Sequence, residues 1–328
     1  MNFVDAAALR GHWFPVAEST QVAPGPVKVT LLGQELVLYR SGGAVVAAPD
    51  RCPHREAPLS LGRVEQDSLV CAYHGWAFGE GGACVGVPSS GLEAKIQPGA
   101  HLPCAAVAER YGLVWVALGD PVADVPVIPQ EVDESFRRIN TGVEVWQASA
   151  TRMVDNFLDI SHFPWVHTGT FGGGQETRVD QIDLAELDNG WFGYAYEVDA
   201  SNPDDATATT GSEEDVVHRW MSTVFVLPLM VRSTIRYADG LEHILLLCST
   251  PIDDVTSYFT FVVWRNDDFS TDPEEIISFD RAIGAEDKAM LEQVPGSLPL
   301  ERTELVSVQS DKPSVEWRRR FHRLVAEA

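Results

Sequence analysis

From residue 12 to about 118 the chain runs in short apolar–polar alternations broken by Gly and Pro: VKVTLL, ELVLYR, AVVAAP, LVCAYHG and LVWVAL. Alternation of this kind, with turn signals every 8–12 residues or so, predicts an antiparallel sheet or barrel. The segment 119–133, GDPVADVPVIPQEVD, is rich in proline and acids and reads as a linker. It divides the chain into an expected first domain, residues 1–125, and a second, residues 126–328. Beyond it the period changes. Apolar spacing from about residue 149, in ATRMVDNFLDISHF, suits a helix. WFGYAYEVD, HRWMSTVFVLPLMVRSTIRYA, HILLLCSTPI and SYFTFVVWR read as strands, and 272–293 reads as a helix with acids in its first turn, where the dipole favours them. The polar stretch 199–215, DASNPDDATATTGSEED, reads as a mobile surface loop or a lid. The fold class expected is α+β, with a β-rich first domain and a second built on a large antiparallel sheet with helices.

Composition narrows the function classes. The chain has 328 residues, 45% of them hydrophobic, enough for a sizeable core. No window approaches the run of about 18–20 apolar residues that a membrane helix needs, and MNFVDAAALRGHWFPVAEST lacks the pattern of a secretory signal. A soluble, cytoplasmic protein without a membrane partner is expected. The net charge of −24 repels phosphate backbones at long range, so nucleic acid is not expected as a partner. Five dispersed cysteines do not make a disulfide framework. Cys84, Cys104 and Cys248 read as buried small hydrophobes, whereas Cys52 and Cys71 have histidines at ligand spacing.

Those two cysteines lie in DRCPHREAPLSLGRVEQDSLVCAYHGW, residues 50–76, as Cys52-x-His54 and Cys71-x-x-His74. Two thiolates and two imidazoles can bind zinc tetrahedrally or hold a [2Fe–2S] cluster, the thiolates on one iron and the imidazoles on the other. A β-rich domain of this size does not need a zinc staple, so the context favours the cluster. CPHREAPLSLG and CAYHGWAFGEGG resemble the two loops of a Rieske iron–sulfur domain of the oxygenase branch. The respiratory-chain branch adds a cysteine to each loop, and here Glu56, Ala57 and Ala72 occupy that neighbourhood.

A second constellation follows in DNFLDISHFPWVHTGTF, residues 155–171. Asp159 and His162 lie three apart, neighbours on a helix face. His162 and His167 lie five apart with Pro164 between them, where it would end or bend the helix and swing both imidazoles round to one ion. Two histidines and one carboxylate make the facial site of non-haem Fe(II) oxygenases, which leaves positions open for O2. The pattern N-x-x-D-x-x-H-x-x-x-x-H, here Asn156, Asp159, His162 and His167, resembles the catalytic motif of the Rieske non-haem iron oxygenases. By the same resemblance, Asp287 in 283-IGAEDKAMLEQ-293 is the third iron ligand. Asp280, seven residues earlier on the same face, is its rival, and Glu286 is expected to point elsewhere.

The resemblance implies a helix-grip-like catalytic domain and a terminal oxygenase that takes electrons from NAD(P)H through a separate reductase, in some members by way of a ferredoxin. It also implies a homotrimer in which Asp159 bridges His162 to His74 of a neighbouring subunit. The absence of a glycine-rich dinucleotide fingerprint agrees with a separate reductase. The AED-K-x-x-x-E-Q pattern is similar to the aromatic O- and N-demethylases and favours monooxygenation, with arene cis-dihydroxylation as the close alternative. A pure electron carrier is the alternative of another class. Phe157, Leu158, Trp165, Val166, Phe171, Trp220, Met230, Phe259 and Phe261 are candidates for an apolar pocket that takes a hydrophobic or aromatic small molecule. Arg51, Arg55 and Arg63 read either as docking charges for an acidic redox partner or as solvated arginines. The basic stretch 317–323 reads as the positively charged end of a terminal helix.

Overall fold

The computed structural model describes residues 2–23, 25–91, 95–173, 176–188, 190–300 and 305–326. The chain divides between Val125 and Pro126 into two compact units.

The first unit holds ten short strands in three antiparallel sheets: β1 (Phe14–Glu18), β2 (Val27–Leu31), β3 (Gln34–Ser41), β4 (Ala44–Pro49), β5 (Arg63–Glu65), β6 (Ser68–Val70), β7 (Ala77–Phe78), β8 (Cys84–Gly86), β9 (Ala106–Arg110) and β10 (Leu113–Ala117). Their orders are β1-β10-β9, β2-β3-β4 and β5-β6-β7-β8. Leu36, Val37, Leu38 and Tyr39 of β3 are all fully buried, as are Leu113 to Ala117 of β10. Such runs lose the alternation of a half-solvated strand because both faces are covered. LVCAYHG is a strand only as far as Val70; Cys71 begins a loop. Cys84 and Cys248 are buried as expected, but Cys104 is exposed.

The second unit is organised around an eight-stranded antiparallel sheet. Its strands are β11 (Arg137–Asn140), β12 (Glu144–Trp146), β13 (Ala185–Asp188), β14 (Trp191–Ser201), β15 (Val216–Val226), β16 (Met230–Arg236), β17 (Glu242–Pro251) and β18 (Ser257–Arg265). The order is β11-β18-β17-β16-β15-β14-β13, with β12 also pairing β18. Among the described residues five α-helices accompany it: α1 (Ala150–Phe157), α2 (Phe163–Val166), α3 (Thr207–Thr210), α4 (Pro273–Leu291) and α5 (Lys312–Ala326).

Local chemistry sets these elements. The Ser149 hydroxyl accepts from the Thr151 amide and caps α1. Asp272 caps α4, Pro273 occupies its first position, and Glu274 and Glu275 follow in the first turn. Ile276, Ile277 and Leu291 of α4 pack with Trp146, Met153, Phe259, Phe261 and Val263 in one core cluster. The stretch 199–215 is not a bare loop: Asp199 to Ser201 finish β14, and Thr207–Thr210 form α3. Thr209 and Thr210 are buried, and the Thr209 hydroxyl donates to the Ile276 carbonyl of α4 at 2.7 Å. The side-chain hydroxyls give this polar segment a folded alternative that polarity alone conceals. In α5, Arg318 makes a two-point ion pair with Asp155 of α1 at 2.6 and 2.7 Å, so the basic stretch also ties two helices together.

Candidate active site

In the first unit two loops carry the Cys and His pairs, and they share one backbone scheme. The Cys52 amide donates to the Ala57 carbonyl and the Glu56 amide returns to the Cys52 carbonyl; the Cys71 amide donates to Trp76 and the Gly75 amide returns to Cys71. The fifth residue of each loop has a positive φ, 61° at Glu56 and 71° at Gly75. A left-handed residue is what turns so short a loop back on itself, and Glu56 adopts it without the freedom of glycine. Both cysteines are 2% exposed. The imidazoles of His54 and His74 meet edge to face with centroids 4.4 Å apart, and Trp76 stacks on His54 at 4.7 Å.

This donor set fits an iron–sulfur cluster. His54 Nδ1 is buried without a hydrogen-bond partner, the state of a ligand nitrogen. Burial pushes the Cys52 thiol up to about 11, so a bound cation is needed to hold it as thiolate. Among the described residues, the group of three ligand atoms that closes on one point lies elsewhere, and the four residues here do not converge as a single tetrahedral zinc would require. Of the surrounding arginines, Arg51 pairs with Glu56 and Arg63 with Glu65, all exposed, which neutralises two of the three charges considered for docking.

The convergent group is His162, His167 and Asp287 in the second unit. The two Nε2 atoms are 3.2 Å apart, and Asp287 Oδ1 is 3.4 Å from one and 3.5 Å from the other. Ligand atoms about 2.1 Å from a metal, at octahedral or tetrahedral angles, lie about 3.0–3.4 Å from each other. The triangle is therefore the right size for one ion. Asp280 is absent from it: its Oδ2 faces His243 Nε2 at 3.1 Å instead.

The chain reaches this geometry differently from the expected proline bend. Helix α1 ends at Phe157, and the turn is made by Asp159, whose carboxylate accepts from the Ser161 amide (3.1 Å), the Ser161 hydroxyl (2.7 Å) and the His162 amide (3.0 Å). Aspartate stabilises turns by this kind of local bonding. Asp159 and His162 therefore meet across a turn, not on a helix face, and Pro164 sits in the first turn of α2, where proline is tolerated.

Each imidazole is braced from behind. Asp159 Oδ2 lies 3.0 Å from His162 Nδ1, and Glu286 Oε2 lies 3.0 Å from His167 Nδ1. A carboxylate on the far nitrogen fixes tautomer and ring orientation, leaving Nε2 free for a metal. Glu286, expected to point elsewhere, thus reaches the site; it also accepts from the Gly169 amide (3.0 Å) and the Thr170 hydroxyl (2.7 Å). A side chain at Gly169 would come within 2.7 Å of Glu286 Oε1, so glycine permits this approach. Asn156 Nδ2 donates to Asp287 Oδ1 at 3.0 Å and holds that carboxylate in place. Burial works to lower His162, but the Asp159 and Asp287 carboxylates outweigh it and lift the imidazole to about 9. At His167 burial prevails and the shift is downward. Both must be neutral to bind a metal.

A cavity of about 130 Å³ opens beside the triangle. Its walls come from alternate residues of neighbouring strands, Met221 and Thr223 of β15, Ser233 and Ile235 of β16, Leu245 and Leu247 of β17, and Phe259 and Phe261 of β18, because successive side chains point to opposite faces. Phe157 and Phe171 line it as expected, while Trp165 and Trp220 are 70% and 41% exposed and, like Leu158, Val166 and Met230, lie outside it. Sequence reasoning passed over Arg219, Tyr237, Gly284 and Asp280 as lining residues. Arg219 had a readable signal, since it falls in phase with the buried positions Val217, Met221 and Thr223 of β15.

Comparison with known proteins agrees with both halves. Residues 12–97 match the Rieske [2Fe–2S] domain, and residues 146–327 match the vanillate O-demethylase oxygenase C-terminal domain. An iron–sulfur module ahead of such a domain defines an iron-dependent oxygenase supplied with electrons one at a time. The chain is 31% identical over 320 residues to methylxanthine N1-demethylase NdmA of Pseudomonas putida, covering 95% of this chain and 88% of that protein. The structure of NdmA with caffeine superposes with a TM-score of 0.81 at 28% identity, covering 97% of this chain and 95% of the other. A vanillate O-demethylase oxygenase subunit from a Pseudomonas species is 30% identical over 180 residues, 54% of this chain and 49% of that one. The chain belongs to the Rieske non-haem iron oxygenase family, as the terminal oxygenase component. Its cofactors are a Rieske [2Fe–2S] cluster and a mononuclear iron. No helix among the described residues is long and apolar enough to cross a membrane.

Proposed function

We propose that this oxygenase removes a methyl group from nitrogen or oxygen of a small aromatic molecule by hydroxylating the methyl carbon. The observation that carries the reading is the triangle of His162, His167 and Asp287 opening onto a cavity walled largely by Phe, Leu, Ile and Met side chains. In this assignment Cys52 and Cys71 hold one iron of the cluster and His54 and His74 the other, while the triangle holds the mononuclear iron. Iron bound there supplies O2 activation. One oxygen atom enters the methyl C–H bond and the other leaves as water with two electrons and two protons; the resulting hydroxymethyl group breaks its bond to the heteroatom and departs as formaldehyde.

The chain's own groups supply the setting. Asp159 and Glu286 hold the two imidazoles in register, Asn156 fixes Asp287, and the apolar walls keep bulk water from the reacting carbon. Electrons come from NAD(P)H through a separate reductase or a ferredoxin, and the reaction belongs in the cytoplasm, where that donor is available. The assembly in this proposal is a homotrimer in which Asp159 also contacts His74 of a neighbouring subunit, so that one carboxylate joins the electron inlet to the iron site. NdmA and the vanillate enzyme are demethylases by name, which supports the reaction type. The test is a panel of N-methyl and O-methyl aromatics with a surrogate reductase, scored by product mass and formaldehyde. Loss of one methyl with equimolar formaldehyde is the expected result. Products carrying two added oxygens would replace demethylation with dihydroxylation.

A further inference from the structure

Three arginines of the large sheet are buried: Arg219, Arg232 and Arg265, at 3, 8 and 2% exposure. Two are paired. Arg265 bonds Asp267 at 2.7 Å and the Ala208 carbonyl at 3.0 Å, and Arg232 bonds Asp188 at 3.0 Å. Arg219 differs. Its Nε and Nη2 are buried without a hydrogen-bond partner, and no carboxylate of the described residues lies within ion-pair distance. Asp280, the acid in the same cavity wall, is turned to His243.

A guanidinium cannot shed its proton, so an unpaired one in a protein interior carries a large desolvation cost unless something answers its charge. Part of the answer is aromatic, because the Arg219 guanidinium carbon lies 5.5 Å from the centroid of Phe171 and 5.9 Å from that of Tyr237. Ring faces leave the in-plane N–H donors unused. Those donors belong to a residue that lines the cavity beside the iron triangle. Phe171 in turn stacks on His167 with centroids 4.9 Å apart, so one ring separates the cation from the metal site.

We propose that Arg219 is the substrate's anchor and that the substrate is an aromatic acid, its carboxylate or sulfonate paired with the guanidinium while its ring lies against the apolar wall. The proposal rests on the demethylase reading and names its substrate class. With a net charge of −24 the protein repels anions at long range, so a small acid gains nothing from the overall field and a local cation is what would hold it. The planar fork of arginine matches a carboxylate at two points, which a lysine cannot do.

The test uses calorimetric titration of the metal-loaded enzyme with 4-methoxybenzoate, 4-methoxybenzenesulfonate and the neutral 4-methoxybenzamide. At least one acid should bind about 100-fold more tightly than the amide, given what a buried charge-assisted pair contributes. Arg219→Gln should lose that preference while changing the amide's affinity by less than about threefold, and Arg219→Lys should recover part of it. Cluster absorbance and thermal midpoint establish that each variant is folded; if the Gln variant is not, the acid-to-amide ratio in the wild type decides. The proposal is overturned if neither acid binds, if the amide binds as tightly, or if Arg219→Gln keeps the preference. Turnover with the surrogate reductase separates the two readings. Demethylation of caffeine or the amide without acid preference removes the anchor and leaves the demethylase. Arg219-dependent acid binding with no demethylation of any probe does the reverse.

Discussion

Replacing Glu286 by Ala tests the support behind the iron site without touching a ligand. In the wild type its carboxylate receives His167 Nδ1 at 3.0 Å, the Gly169 amide at 3.0 Å and the Thr170 hydroxyl at 2.7 Å. Truncation leaves three donors without their acceptor beside an imidazole that is almost wholly buried. His167 loses both its preferred tautomer and the contact that holds Nε2 toward Asp287. Loss of such a partner typically lowers metal affinity or activity by about 10–100-fold, which is about 1.4–2.8 kcal/mol at the metal site. The assay is titration of the apo mononuclear site with Fe(II) or Co(II), with the cluster's visible absorbance as an internal control. The expected variant binds the ion about 10–100-fold more weakly, keeps its cluster spectrum, and loses turnover in proportion at limiting iron. Glu286→Gln, which retains an acceptor oxygen, should fall between the two. Wild-type metal affinity and turnover in Glu286→Ala would refute the bracing role.

Other perturbations reach different parts of the assembly. Asp159→Asn should retain three irons per chain by metal analysis yet lower product formation roughly 100-fold or more; near-normal turnover would sink its place in the electron path. Gly284 lies in the helical wall between Asp280 and Asp287, and an added Cβ would meet Phe259 at 3.8 Å. Gly284→Ala should therefore be accepted and raise stability by about 0.5–1 kcal/mol in a denaturation curve. Gly284→Leu should fill the cavity and abolish substrate binding with both metals in place. Burial lowers the imidazole pKa of His12 below its ordinary 6.5, so the folded state binds fewer protons there than the unfolded chain. Stability from this group is present above that value and is lost as the pH falls through it. The thermal midpoint of the wild type should drop more between about pH 7.5 and pH 5.5 than that of His12→Gln, and parallel curves would remove the effect.

The pairing of the two Cys–His loops and the approach of His162 to His167 were legible in the chain because the bonding that shapes them is local. Cys52, His54, Cys71 and His74 sit on short loops whose ends are tied by their own backbone bonds, and His162 and His167 are brought together by a turn that Asp159 closes within three residues. Alternation in the strands and the caps of α1 and α4 are equally local, since they follow from side-chain direction and from unpaired amides at helix starts. Tertiary structure decided what local rules leave open. Asp280, Glu286 and Asp287 are all acids of one helix, and only the packing of α4 against residues 156–171 turns Asp287 to the histidines and Glu286 to the back of His167, while Asp280 faces His243. The polar run 199–215 folds because its threonine hydroxyls find partners, Thr207 and Thr210 within the run and Thr209 far away in sequence at the Ile276 carbonyl. Arg219 can be placed in the buried phase of β15 by counting residues, but its lack of a counter-charge among the described residues is a property of every strand and helix around it. A partner's absence is a fact of three dimensions, and it is what marks this arginine out from Arg232 and Arg265.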